Sequence, residues 1–121
     1  MNKPKNLDEA LDTIIRDTPK ENLDKFRDTE EKRAGAMVHH AGGMNMRNSW
    51  NLWDNKSPMA KWFHSIGIWH ADDMSGIIFD SLHRKLNNEP LDLEGQVKVY
   101  HDYWRGLGQD PAEELKKAKQ N

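Results

Sequence analysis

Cysteine is absent from the 121 residues. That excludes disulfides, a thiolate nucleophile and every zinc site built on sulfur, and it suits a reducing compartment. An excess of positive charge is missing as well. With 18 Lys and Arg against 20 Asp and Glu, the formal net charge is -2, so no global field draws the chain to nucleic acid or to anionic membranes. No apolar run approaches membrane-spanning length, and Met1 to Asn6 lead into an acidic amphipathic segment rather than an apolar signal region. The expectation is a cytoplasmic protein with no direct nucleic-acid binding and no membrane contact. P-loop, GxGxxG, GxSxG, HExxH and zinc-finger spacings are all missing, which removes the motifs that would name a reaction and implies no cofactor.

What is present is polar but able to fold. Hydrophobic residues are 36% and charged residues 31%, yet five Trp, three Phe and two Tyr suffice to build a centre. A chain of this length fits one domain that buries roughly two thirds of its unfolded surface. Residues 1–106 are expected to form a single helical domain, and 107–121 a polar, peripheral C-terminal helix or tail.

Periodicity predicts helices and no strands. Leu7, Ala10, Leu11, Ile14 and Ile15 follow the i, i+3, i+4, i+7 spacing behind Asn6 as N-cap, with Glu9 completing a capping box. Thr18-Pro19-Lys20-Glu21 predicts a second cap and a helix carrying Leu23 and Phe26, continuing to His40 and closed by Gly42-Gly43. From Met44 to Lys56 neither helical nor strand period holds, and asparagine at 45, 48, 51 and 55 favours turns, so this is read as an ordered Trp/Asn-rich loop. Ser57-Pro58 opens a short helix with Met59, Trp62, Phe63 and Ile66 on its apolar side, closed by Gly67. The helix from Ala71, with Met74, Ile77, Ile78, Leu82 and Leu86 on one face, is expected to be central and buried. Asp92 caps a further helix with Leu93, Val97, Tyr100 and Trp104 inward, ending at Gly106, and Asp110-Pro111 starts a last, polar one. The fold class is all-α, a compact single-domain bundle of five or six short helices.

Candidate chemistry concentrates between residues 47 and 84. Four tryptophans, 50, 53, 62 and 69, fall in twenty residues, behind Arg47-Asn48 and ahead of His70-Ala71-Asp72-Asp73. Indole faces with arginine and asparagine edges suit a planar or anionic ligand, and the same residue types dominate protein interfaces. In a small domain indoles also serve as core; Trp62 and Trp104 fit that reading, whereas Trp50 and Trp53 sit in an irregular loop. His70 with Asp72 or Asp73 suits an acid/base pair, but carboxylates at a helix start also serve as caps. Asp73, Asp80, His83, Arg84 and Asn87 fall on the side of their helix away from its apolar face. Histidine and carboxylate together suit metals, yet no ligand spacing singles out a metal site, and none is assigned. Lysines of the tail are interspersed with Asp110, Glu113 and Glu114 and read as a solvated surface.

The run Gly43-Met44-Asn45-Met46-Arg47-Asn48-Ser49-Trp50-Asn51-Leu52-Trp53, followed by Gly67-Ile68-Trp69-His70-Ala71-Asp72-Asp73-Met74-Ser75 and Leu82-His83-Arg84-Lys85-Leu86-Asn87, resembles an uncharacterised family of small bacterial and phage proteins. These share Arg-Asn-x-Trp-x-Leu-Trp and His-x-Asp-Asp-Met-Ser segments, and the resemblance extends from about Leu7 to Trp104. Where the family pattern has proline, this chain has Ala71. The family has no assigned activity. The resemblance implies only that Arg47, Asn48, Trp50, Trp53, His70, Asp72, Asp73, Ser75, His83 and Arg84 belong to a shared pattern.

The functional expectation is a small binding module, in its natural version an inhibitor or sequestering protein. Arg47, Asn48, Trp50 and Trp53 of the loop, with Trp69, His70, Asp73, His83 and Arg84 on or beside the following helix, would recognise an anionic or planar, nucleotide-like molecule or a partner protein. Two alternatives stand beside it: a small hydrolase using His70 with Asp72 or Asp73, metal-assisted or not, and a structural subunit of a homo-oligomer. A structural role for Arg47, docking the loop onto the acidic helix start, competes with all three.

Overall fold

The computed structural model describes residues 3–29, 47 and 49–120. Among these there are six helices and no strand: α1 (Leu7–Asp17), α2 (Lys20–Asp28), α3 (Pro58–Ser65), α4 (Ala71–Leu86), α5 (Leu93–Gly106) and α6 (Pro111–Gln120). The all-α expectation is met. The anticipated segment from residue 30 to Gly43 and the start of the Trp/Asn-rich loop lie outside the described residues.

Capping explains most boundaries. Asn6 accepts the Glu9 amide at 2.9 Å, Ser57 that of Ala60, and Asp92 that of Gly95, each satisfying a donor that the first helical turn leaves open. Glu9 reaches back to the Lys5 amide rather than to Asn6, so the expected box is displaced by one residue. Thr18 does not cap α2. It is the extended C-cap of α1, and Pro19 takes the position ahead of α2 without any side-chain cap. Only two residues separate the helices, and a residue before proline is driven to extended backbone. Nor does α2 run on through Thr29, whose ψ of 145° ends it.

Three helices end alike. Ile68, Glu89 and Gln109 donate back to the carbonyls of Phe63, Arg84 and Trp104, with Gly67, Asn88 and Gly108 at positive φ just before them. This is the 6→1 closure in which glycine or asparagine takes the left-handed position. The last full residue of α5 is Gly106 as expected, but the left-handed residue that terminates it is Gly108.

Helix α4 is the centre. Its Met74, Ile77, Ile78 and Leu82 are buried with Leu7 and Leu11 of α1, Met59 and Phe63 of α3, and Leu52 and Ile68 of the connections. It packs on α1, α2 and α3, while α6 lies against α3 and α5. Helix α5 meets α4 through side chains. Gln96, the one fully buried residue of α5, donates to Ser81 Oγ at 3.1 Å and to the Leu91 carbonyl at 2.8 Å. Tyr100 places its hydroxyl directly over Gly76, where a Cβ would collide with it, so glycine in mid-helix here permits close approach. Leu93, Val97 and Tyr100 pack against the core as expected. Trp62 is half-buried, its ring edge-on to Phe63 rather than in the centre.

Candidate functional site

The segment expected to be an aperiodic loop is helical at Arg47 and Ser49 and in turns from Trp50 to Trp53, and it meets the start of α4. Arg47, only 7% exposed, donates from Nη1 to Ser75 Oγ at 2.8 Å and places Nε 3.3 Å from Asp72 Oδ1. Ser75 Oγ in turn donates to the Asp72 carbonyl at 2.9 Å. A buried guanidinium needs such partners, because an unpaired charge away from water is costly. The loop is further held by Leu52, which is buried in the core and whose amide donates to the Arg47 carbonyl at 2.9 Å. Asn51 adopts the left-handed conformation that asparagine tolerates. A single leucine in an aperiodic stretch carries no pattern, so the burial of Leu52 has no local sequence signal.

His70 begins α4. Its Nδ1 accepts the Asp72 amide at 3.1 Å, so the imidazole is the N-cap. Acceptance at Nδ1 places the proton of the neutral ring on Nε2, which is then a donor. Asp73, next in the first turn, accepts the Trp104 indole N–H at 2.8 Å. Burial raises the Asp73 carboxyl above the usual aspartate range, opposed by the Trp104 hydrogen bond and by His70.

These anchors arrange a row of rings. His70 stacks on Trp104 at 5.4 Å between centroids, and Trp53 stands edge-on to His70 at 5.8 Å. Tyr103 stands edge-on to Trp104 at 5.2 Å, and Trp69 lies 5.8 Å from the same indole. The two ends face solvent, Trp53 being 57% and Tyr103 55% exposed. Val99 on α5 and Leu107 at its C-cap, one turn either side of Tyr103, are exposed too, and the i, i+4, i+8 spacing makes the three one stripe. That stripe is one apolar row of the segment, and Leu93, Val97 and Tyr100 are the row that packs inward. Trp104, expected inward with them, lies half-buried in the aromatic row instead, and its pairing with His70 and Asp73 across more than thirty residues has no local signal.

Other expected residues lie elsewhere. Trp50 is half-buried against the core. His83 and Arg84 sit at the far end of α4: His83 is buried, its Nε2 bonded to the Thr29 carbonyl and its ring edge-on to Phe26, and Arg84 Nη1 donates to the Leu91 carbonyl at 2.7 Å. The polar side of α4 expected to face solvent is in part covered by α2. Asn48 lies outside the described residues. Among the described residues no three His, Asp or Glu side chains converge as a metal site would require, and no helix is long and apolar enough to cross a membrane.

The match that places the chain spans residues 3–86, two thirds of its length, and is to the model of a domain of unknown function (DUF6794). The chain belongs to the DUF6794 family. The matched span takes in Arg47, Trp53, His70, Asp72 and Asp73 and stops at the end of α4, before Tyr103 and Trp104. No curated protein and no solved structure matches the chain.

Proposed function

We propose that this DUF6794 protein is a protein-binding module whose docking face is the aromatic row from Trp53 through His70 and Trp104 to Tyr103. The observation that carries the reading is the exposure of Trp53 and Tyr103 at the ends of a row whose inner members are pinned by polar bonds. Exposed indole and phenol rings held rigidly lose little freedom on binding and bury much area, which is why they recur as interface hot spots. The stripe of Val99, Tyr103 and Leu107 enlarges the face on α5. A partner protein fits it better than a small anion does, because the loop's cation, Arg47, is already engaged with Asp72 and Ser75. In its natural version the module is an accessory protein of bacterial or phage origin that acts in the cytoplasm by sequestering or blocking its partner.

The hydrolase alternative gains nothing from this geometry. Nδ1 of His70 accepts a backbone amide and Asp73 accepts an indole N–H, bonds that serve the aromatic row, whereas the hydrolase alternative would need these groups as an acid/base pair. The homo-oligomer alternative uses the same face with a second copy as occupant. Affinity capture with the intact chain, run beside Trp53→Ser and Tyr103→Ser, tests the proposal. A single dominant partner lost from both variants supports it. Capture unchanged in both, or sedimentation showing a dimer that both variants dissociate, would replace it.

A further inference from the structure

We propose that the cleft between α3 and α6 binds the phosphate group of a small phosphorylated molecule, with Lys56, Lys61 and Lys119 lining it beside His64. The cleft holds about 420 Å³ and is lined by these four residues and Asn55, a size that suits a small-molecule ligand. Among the described residues its charged groups are all of one sign. The three ammonium groups come from the turn before α3, from α3 and from α6, and no described carboxylate lines the cleft. Lys85, Lys98 and Lys117 are each paired with a carboxylate, whereas Lys56, Lys61 and Lys119 have no such partner among the described residues.

The second observation is His64 itself. It is 4% exposed, and its Nε2 is buried without a hydrogen-bond partner in the protein. A buried ring nitrogen left unpaired is costly, and folded proteins rarely keep one without a reason. Burial and the neighbouring Lys119 both lower the basicity of His64. A phosphate oxygen would answer both features, accepting an N–H from the imidazole while its double negative charge offsets the lysines. A monovalent carboxylate would leave most of that positive charge uncompensated. The volume beyond one phosphate leaves room for an organic body, with Asn55 as an amide partner. The site uses none of the residues of the aromatic row, so it stands or falls separately from the partner-binding proposal.

The test is nitrogen-15 NMR of the His64 ring in the full chain, titrated with inorganic phosphate and with a sugar monophosphate at constant ionic strength. Expected is a saturable shift of the His64 signals and a rise in the pH of its titration midpoint. Lys61→Gln and Lys119→Gln, both exposed positions, should each weaken the apparent affinity by about tenfold, while Lys20→Gln on α2 leaves it unchanged. Tighter binding of the sugar monophosphate assigns the site to a phosphate ester, and equal binding assigns it to free phosphate. A His64 ring that does not respond would overturn the proposal, as would a response reproduced by chloride or retained in the two lysine variants.

Discussion

Helix α4 has a histidine, an arginine partner and an aromatic neighbour at each end, and the ends use them in opposite ways. At the C-terminal end three polar side chains are turned inward: His83 to Thr29, Arg84 to Leu91 and Asn87 to the Arg27 carbonyl. These bonds tie α2 and the α4–α5 connection to the central helix. At the N-terminal end Arg47, Asp72 and Asp73 are also engaged internally, but what they hold in place is a set of rings that remains exposed. The same residue types are therefore fastening at one end and scaffolding for a surface at the other. What separates the two is whether the aromatic groups beside them find burial within the chain.

Arg47→Ala tests the scaffold most severely. It strips Ser75 and Asp72 of their buried partner, and although half-exposed Asp72 regains some water, a loss of about 3 kcal/mol is expected in urea unfolding. A folded, stable variant that merely fails to bind would instead make Arg47 a direct contact residue. His83→Ala should cost about 2 kcal/mol, from the Thr29 bond and the packing on Phe26. His70→Ser should cost less than about 1 kcal/mol, since serine is a good N-cap and only the ring contacts are lost. Finding His70 more important to stability than His83 would reverse the comparison.

The smallest expected effect concerns acid. Because His64 is held less basic than its ordinary 6.5 when folded, it favours the folded state above that pH. This contribution is lost as pH falls through the lower folded value. Melting temperature should therefore decline on acidification below about 6.5 in the wild type and decline less in His64→Gln. A parallel decline in both would show that His64 is not the group responsible.

Much of the fold is legible along the chain because its causes are local. Asn6, Ser57 and Asp92 cap where a short polar side chain precedes an apolar period, and α4 follows from five apolar residues on one face. The failures are tertiary. His83 falls on the side of its helix away from the apolar face, and nothing local reveals that Phe26 of α2 lies beside it. Gln96 is buried by Ser81 and Leu91, partners that no helical period names. The contact of Arg47 with the acidic start of α4 was foreseeable as a charge pairing, and it is there, but in the role of fastening. The lysine cleft was invisible for a related reason: Lys119 is nearly sixty residues from Lys61, and in sequence it belongs to a tail of mixed charge.

The central claim is that the aromatic row is surface held ready rather than core, and the unfolding free energy of the Trp53→Ser/Tyr103→Ser double variant tests it most directly. Among the described residues each of these exposed rings makes one edge contact with another ring, so the double variant should lose no more than about 1 kcal/mol relative to wild type. A loss of about 3 kcal/mol or more, of the size that removing core aromatics produces, would contradict the account and make the row part of what folds the protein.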